Sequence, residues 1–388
     1  MQNPSDSRAY WKLVATGGLF AAVGLLSAWY MESHGHIVTG MNNQIVWGIP
    51  HVFAIFLIVA ASGVLNVASI GSVFGKPEYK VRAPLSGLLS IAMLAGGLTV
   101  LMLDLGRPDR VIVAATNYNL TSVFAWNVLL YSGLFTLVAL YLWTMMDKRM
   151  YPYSRPAGFA VFAWRFILTT GTGLIFAFLV ARQAYASALL PPMFIVLSFA
   201  WGLAVFLIAQ TVMYRWNGVS ADPAVTRRIK HLLGLFLLGS LYLVAAYHLT
   251  NLYFAKNSAY ESFILFNEMP YAWLFWIGYV LIGNVLPLFL VYYPDIESDV
   301  KCAVPIAALM AVTGAIAFLY VLIVGGQAYP LDIFPGYQAS SSFGDGQVGH
   351  YAPSLPEFLL GIGGVAIAFL VTTVGVRVFN FMPRDGQH

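Results

Sequence analysis

Ten long apolar segments constrain the fold of this chain more than any other feature of its sequence. A bilayer core about 30 Å thick is crossed by about 20 residues of α-helix, and each segment reaches that length. The segments lack the alternation of barrel strands, so a helical bundle is the structure that satisfies their backbone in lipid. We predict ten transmembrane helices, near residues 12 to 32, 50 to 74, 84 to 104, 122 to 146, 158 to 181, 190 to 213, 231 to 254, 271 to 293, 302 to 325 and 356 to 379.

The composition of the chain agrees with this fold class. Apolar residues make up 60% of the chain and charged residues 9%, whereas a soluble domain carries about 25% charged residues. The first segment could be taken for a signal peptide, but its apolar run is too long and no A-x-A site follows it. We interpret it as a retained helix and predict an all-α integral membrane protein.

Basic residues in the connections predict the orientation of the bundle. Lys and Arg near helix ends stay in the cytoplasm, and 15 of the 20 basic residues lie on the face that carries both termini. We call this the cytoplasmic face and the opposite one the outer face, and predict an N-in, C-in topology. The net charge of +4 follows from this bias, and it gives no reason to propose a nucleic-acid partner.

Cysteine and histidine usage excludes several redox centres. The chain has one cysteine, Cys302, whereas an iron–sulfur cluster or a structural zinc site needs several thiolates. His231 and His248 share one segment and lie about 25 Å apart along it, so they cannot ligate one haem together. We expect neither a haem nor an iron–sulfur cluster in this chain.

Polar residues collect at the outer ends of segments two, three and four. His51 opens segment two after Pro50, and Asp104 closes segment three. A charge toward the bilayer interior costs about 2.5 to 3.5 kcal/mol, so Asp104 needs a partner. Arg107, at i+3, is the expected one. The remaining candidates on this side are His36, Asn119, Trp126 and Asn127.

Two interpretations of these residues remain open. In the first, Asp104 and Arg107 form an ion pair at a helix end that Pro108 terminates, and His51 is an interfacial hydrogen-bonding residue. In the second, Asp104 and His51 bind a quinone headgroup and exchange protons with it, because such a site needs titratable groups tuned by their surroundings. Arg107 would then hold Asp104 charged. The other residues that would line this pocket are Trp126, Asn127, Asn119 and His36.

Several short motifs carry a resemblance to a known family. The first half contains Trp47-Gly48-Ile49-Pro50, Ala60-Ala61-Ser62-Gly63 and Asp104-Leu105-Gly106-Arg107-Pro108. The second half contains Asn267-Glu268-Met269-Pro270 and Gly283-Asn284-Val285-Leu286-Pro287. With these motifs the chain resembles the NrfD/PsrC family of quinone-interacting membrane subunits, to which polysulfide reductase contributes a member.

The resemblance implies a domain organisation. Family members have an eight-helix core made of two four-helix bundles, which implies bundles at 46–181 and 190–325. The segments at 12–32 and 356–379 would be additional peripheral helices, joined to the core in part by an outer loop at 326–355. Ten segments with this long loop are most similar to the DsrP type, found in the DsrMKJOP complexes of dissimilatory sulfur metabolism.

The resemblance also implies a function. Family proteins exchange electrons between menaquinone or ubiquinone and a ferredoxin-like iron–sulfur protein, without a cofactor of their own. That protein would dock on the outer face, and a cytochrome c and a membrane cytochrome b would be further subunits. The expected location is the cytoplasmic membrane of a bacterium or archaeon. His51 lies about one turn upstream of the position where the family carries its histidine.

Other features leave alternatives open. The outer loop at 326–355 is either a docking surface or a mobile connection, since a structureless loop of this length is uncommon unless functional. In the second half, His248, Asn251 and Glu268 are expected to cluster near the outer face, as half of a proton path or as interhelical hydrogen bonds. A secondary transporter and a structural membrane anchor are the competing functions, although a transporter should show paired helix breaks at mid-membrane.

Overall fold

Within the part of the chain that the computed structural model describes, ten helices are long and apolar enough to cross a membrane, which confirms the predicted all-α integral membrane fold. The structure describes residues 4–218, 222–293, 300–331 and 346–381, and over these ranges it contains no β-strand. The helices are α1 Arg8–His34, α2 Ile49–Ser72, α3 Ala83–Leu103, α4 Val123–Met146, α5 Tyr151–Ala177, α6 Leu190–Trp216, α7 Pro223–Tyr253, α8 Tyr271–Tyr292, α9 Ala303–Ala328 and α10 Leu355–Phe379.

Short or irregular helical segments interrupt this regular pattern. The helix α2 is interrupted at Leu65, and α8 contains a π-helix over Leu274–Val285. A second π-helical stretch, Val321–Gly325, precedes the last turn of α9. The connections contain further short helices at His36–Val38, Pro77–Lys80, Pro108–Arg110, Val111–Thr116, Ala255–Ser262 and Phe263–Asn267.

Two helices extend beyond their apolar segments. The helix α7 begins at Pro223, because the Asp222 side chain accepts a hydrogen bond from the Ala224 backbone N–H and caps the helix before its basic first turns. The helix α9 continues to Ala328, so the first residues of the predicted outer loop are helical. The middle of that loop, residues 332–345, lies outside the described residues.

The helix α2 lies at the centre of the molecule. It packs against α3, α6 and α10, and it also contacts α5 and α9. Every residue of Ile49–Val64 is buried except His51, which opens the helix at the outer face. A polar side chain on this first turn therefore has protein on most sides and one accessible side.

Glycines allow the closest helix crossing. The backbones of α2 and α6 meet at Gly63 and Gly202, where a Cβ atom on Gly63 would lie 1.6 Å from the Ser198 carbonyl oxygen. A Cβ on Gly202 would lie 2.2 Å from the Gly63 carbonyl carbon. Small residues permit such an approach in membrane bundles. The small-residue run at Ala60 to Gly63 thus includes a packing contact between the two halves of the core.

The first and last helices pack on each other. The helices α1 and α10 lie side by side, and α10 also contacts α3 and α2. Their contact includes a backbone approach in which a Cβ on Gly24 would lie 2.6 Å from the Gly363 Cα. Both helices therefore border the part of the core that contains His51 and Asp104.

Candidate functional site

His51 and Asp104 meet at the outer end of the core. The His51 Nδ1 atom lies 2.5 Å from Asp104 Oδ2, with side-chain exposures of 13% and 0%. Gly48 caps α2 with Pro50 in the first turn, and Asp104 immediately follows the last residue of α3. Because one helix begins where the other ends, the two side chains converge at a common depth.

The contact between them leaves polar atoms without aligned partners. Among the described residues, Asp104 Oδ1, Asp104 Oδ2 and His51 Nδ1 are buried and accept or donate no regular hydrogen bond. The carboxylate therefore lies close to the ring nitrogen without forming a regular hydrogen bond to it. Buried polar atoms in native proteins normally have partners. The arrangement leaves carboxylate oxygens able to accept a hydrogen bond from a ligand hydroxyl.

An aromatic wall fixes the imidazole of His51. The Trp47 ring stacks on it with centroids 5.7 Å apart and an interplanar angle of 23°. The rings of Phe124 and Phe176 pack edge to face with Trp47, with ring centroids 6.4 Å and 5.9 Å from its centroid. These contacts restrict the orientation of the imidazole, and they provide an apolar surface of the kind that binds planar rings.

Gln327 holds the backbone of this wall and was missed by sequence reasoning. Its Oε1 accepts hydrogen bonds from the backbone N–H groups of Val46 and Trp47, at 3.0 Å and 3.1 Å, and its Nε2 donates to the Trp47 carbonyl at 3.0 Å. The side chain is buried at the outer end of α9. The signal in the sequence is a single amide after the apolar run that ends at Gly326, which does not show what it contacts.

Two further candidates lie at or near this region. A Cβ atom on Gly106 would lie 3.6 Å from His36 Nε2, so His36 borders the turn that follows Asp104. That nitrogen is buried and has no hydrogen-bond partner among the described residues. Asn127, one turn deeper in α4 than Phe124, donates from Nδ2 to the Val123 and Gly171 carbonyls at 2.9 Å and 3.1 Å. Its contact with a ligand stays a prediction.

The predicted pairing of Arg107 with Asp104 is wrong. Arg107 Nε and Nη2 donate to Asp109 Oδ1 and Oδ2 at 3.1 Å and 3.2 Å, and both side chains are 63% exposed. The i+3 rule fails because α3 ends at Leu103 and Arg107 has φ −148° and ψ 70°, outside the helical region. The hydrogen bond from Arg107 lowers the pKa of the Asp109 carboxyl below its ordinary value.

Asn119 and Trp126 lie at the exposed entrance to α4. Asn119 Oδ1 accepts hydrogen bonds from the Thr121 N–H and Thr121 hydroxyl, at 3.0 Å and 2.7 Å, and so stabilises a turn. Trp126 Nε1 donates to the Leu120 carbonyl at 2.6 Å. These local bonds occupy Asn119 Oδ1 and the indole N–H of Trp126. The structure does not bring them into the contact between His51 and Asp104, and their part in binding stays a prediction.

The connection before α10 is fastened to the first turn of α2. The Tyr351 hydroxyl accepts a hydrogen bond from the Ile49 N–H at 2.7 Å and donates one to Glu357 Oε1 at 2.7 Å. Glu357 is fully buried, and its Oε2 accepts hydrogen bonds from the Gly40 and Ser354 N–H groups at 2.8 Å each. Burial raises the pKa of Tyr351 well above its ordinary value, so the hydroxyl stays neutral at physiological pH. The backbone at Ile49, two residues before His51, is therefore hydrogen-bonded through Tyr351 to Glu357 of α10.

We expect the Tyr351→Phe substitution to lower the free energy of unfolding by about 1 to 3 kcal/mol, because it leaves buried hydrogen-bonding groups on Ile49 and Glu357 without a partner. Thermal unfolding of the detergent-solubilised protein measures this change. Tyr242→Phe is the matched control, since Tyr242 is 72% exposed on α7. Equal stability of the two variants would contradict the role assigned to this hydroxyl.

A second buried histidine–carboxylate pair lies between α7 and the short helix Ala255–Ser262. His248 Nδ1 is 2.6 Å from Glu261 Oε2, and Asn251 Nδ2 donates to Glu261 Oε1 at 2.8 Å. The predicted cluster of His248 and Asn251 is present, but its acid is Glu261 and not Glu268. Sequence reasoning missed Glu261 because it lies in a connection, outside the apolar segments.

Removal of this second carboxylate is expected to destabilise the protein. Without the carboxylate, the buried His248 and Asn251 lose a hydrogen-bond acceptor, and a buried group left unsatisfied costs about 1 to 3 kcal/mol. Glu261→Leu should therefore show a lower unfolding temperature than Glu268→Leu, at a partly exposed position. Retained activity per folded molecule would favour the interhelical structural role. Unchanged stability of Glu261→Leu with lost proton release would instead favour a proton path.

Comparisons with known proteins agree with the sequence motifs. Residues 37–330 match the family described as "Polysulphide reductase, NrfD". A "Hdr-like menaquinol oxidoreductase integral membrane subunit" of Archaeoglobus fulgidus is 29% identical, over 98% of this chain and 95% of that protein. The membrane subunit of a putative dimethyl sulfoxide reductase of Halobacterium salinarum is 26% identical, over 92% of this chain and 88% of that protein. A selenate reductase subunit of Mesobacillus selenatarsenatis is 23% identical, over 93% of this chain and 92% of that protein.

Proposed function

Since the chain belongs to the NrfD polysulphide reductase family, we propose that it is the quinone-interacting membrane subunit of a respiratory oxidoreductase. It exchanges electrons between the membrane quinone pool and an iron–sulfur protein on the outer face. The observation that carries this proposal is the buried contact between His51 and Asp104, with its unsatisfied carboxylate oxygens and its aromatic wall.

The proton chemistry of a quinol suits this pair. Oxidation of a quinol to a quinone breaks two O–H bonds and releases two protons and two electrons. His51 accepts a hydroxyl proton on its second ring nitrogen while Nδ1 faces Asp104, whose charge stabilises the imidazolium that forms. This is the role of a carboxylate behind a histidine base in other enzymes. Asp104 Oδ1 accepts a hydrogen bond from the quinol, which orients it against the imidazole. The first proton leaves the imidazole on its accessible side, and the imidazole then accepts the second hydroxyl proton in the same way.

Access to the pair is one-sided. His51 is the only residue of Ile49–Val64 that is not buried, whereas the side chain of Asp104 is fully buried. A headgroup therefore reaches the imidazole first, and its hydroxyl meets Asp104 Oδ1 only at the buried end of the site. The same pair serves quinone reduction when the partner has the lower potential, since each proton step is reversible.

The redox partner supplies the electron-transfer centre. The quinol gives its electrons by tunnelling to a cluster of a ferredoxin-like iron–sulfur protein docked on the outer face. The quinone is menaquinone or ubiquinone, and the menaquinol oxidoreductase subunit among the relatives favours menaquinone. A cytochrome c and a membrane cytochrome b complete the proposed assembly in the cytoplasmic membrane of a bacterium or archaeon. We place it in dissimilatory sulfur metabolism, on the likeness of its ten helices to the DsrP type.

The proposal is tested on a complex purified through this chain in mild detergent. Co-purifying subunits and extractable quinone are identified, and cluster reduction is followed optically after addition of a quinol analogue. Quinone together with a cluster that the quinol reduces is the expected result. A chain that purifies without either one would contradict the proposal and favour a transporter.

A further inference from the structure

A large cavity lies apart from the quinone site, in the cytoplasmic half of the molecule. It has a volume of about 850 Å³ and is bounded by α1, α2, α3, α6, α9 and α10. This volume falls within the range of about 300 to 1,000 Å³ that is typical of sites for single small molecules. Most of its lining residues belong to α6 and α10, and α2 and α3 contribute two each.

The walls of the cavity are mostly apolar over the depth of one leaflet, with Thr372 and Thr373 as hydroxyl-bearing residues on α10. Phe56, Leu57 and Met93 lie at its deep end, at mid-membrane level. Along α6 it runs from Val205 to Trp216, about 17 Å at 1.5 Å per residue. Half of a hydrocarbon core about 30 Å thick has a similar depth. The cavity therefore matches an acyl chain that enters from the cytoplasmic leaflet.

The charged group and the side-chain amides of the cavity are at its cytoplasmic end. Among the described residues that line it, Arg377 is the one permanent charge and none is acidic. The Arg377 guanidinium lies 4.0 Å above the centroid of the Tyr10 ring, a contact that fixes its plane. The N–H groups of a guanidinium point outward within its plane and suit a phosphate oxygen. Asn217 and Asn380 add amide groups at the same end.

We propose that this cavity binds a phospholipid with an anionic headgroup, whose acyl chain occupies the apolar wall and whose phosphate binds Arg377. The cavity has a long apolar part and a cationic group at its cytoplasmic end. This arrangement matches a lipid of the inner leaflet, where basic pockets between helices select anionic headgroups. A quinone headgroup lacks the negative charge for this end. The inference is independent of the proposed redox function, because it rests on the cavity and Arg377 alone.

The test measures lipid retention by the full chain. The protein is delipidated, reconstituted with vesicles of phosphatidylglycerol and phosphatidylcholine, and re-purified, and bound lipid is counted by native mass spectrometry. We expect about one retained phosphatidylglycerol per chain. In Arg377→Gln, the affinity for phosphatidylglycerol should fall by about fivefold or more. Arg149→Gln, at an exposed arginine on the same face, should match the unaltered protein.

A second variant separates the cavity from the headgroup contact. Ala209→Trp places a large ring in the cavity and should abolish retention, with thermal unfolding reporting whether the variant is folded. No retained lipid, equal retention of phosphatidylcholine, or unchanged binding in Arg377→Gln would overturn the proposal. A partner helix cross-linked to position 209 in native membranes would overturn it as well.

Discussion

Asp104→Asn is expected to slow quinol-dependent reduction of the partner's cluster by about 100-fold or more, while the complex still assembles. The amide keeps the shape of the side chain but removes the negative charge 2.5 Å from His51 Nδ1. Without that charge the imidazolium formed by proton transfer is no longer stabilised, and general base catalysis contributes about 10² to 10⁴ in rate. The rate of cluster reduction by a quinol analogue, followed optically, measures the effect.

The chain offers a close control for this variant. Asp109→Asn changes a carboxylate five residues away that is 63% exposed and pairs with Arg107. It should leave the rate within about twofold, because exposed ion pairs contribute little. Chemical reduction by dithionite should remain normal in both variants, which shows that the cluster is intact. A normal quinol rate in Asp104→Asn would remove this carboxylate from the mechanism.

Gly63→Val is expected to have the largest effect on stability. The new Cβ would lie 1.6 Å from the Ser198 carbonyl oxygen, and the facing residue is Gly202, so backbone must move against backbone. Overpacking costs about 1 to 3 kcal/mol where side chains can adjust, and here we expect about 3 kcal/mol or more. The yield of monodisperse protein and its thermal unfolding in detergent measure the loss.

The matched control is Gly18→Val in α1. A Cβ on Gly18 has no neighbour within 4 Å, and the substitution has the same intrinsic effect on a helix. Its yield and unfolding temperature should stay close to those of the unaltered protein. Equal behaviour of the two variants would mean that the crossing of α2 and α6 is looser than the structure indicates.

Much of the fold could be predicted from the sequence because membrane crossing depends on local composition. Twenty apolar residues form a helix in lipid whatever they pack against, so the ten segments were identified to within a few residues in most cases. The predicted helix ends are less accurate where a polar cap extends a helix beyond its apolar segment, as Asp222 does for α7. The central position of α2 depends on long-range packing, which the apolar pattern does not encode.

The candidate site could be predicted in part. His51 and Asp104 were predicted because both lie at helix ends on one face, but only the structure shows that they touch. The pairing of Arg107 was wrong because helical spacing was applied beyond the end of α3. Gln327 and Tyr351 were missed, since their partners are about 280 and 300 residues away in the chain. Such contacts leave no local pattern.

Photoaffinity labelling tests the central claim, that quinol binds between His51 and the outer end of α3, most directly. The purified complex is irradiated with an azidoquinone, and the labelled peptides are identified by mass spectrometry with and without excess menaquinol. The account predicts label on the first turn of α2 or on residues 103–107, lost on competition and lost in Asp104→Asn. Competable label confined to α6 through α9, with none at these positions, would contradict it.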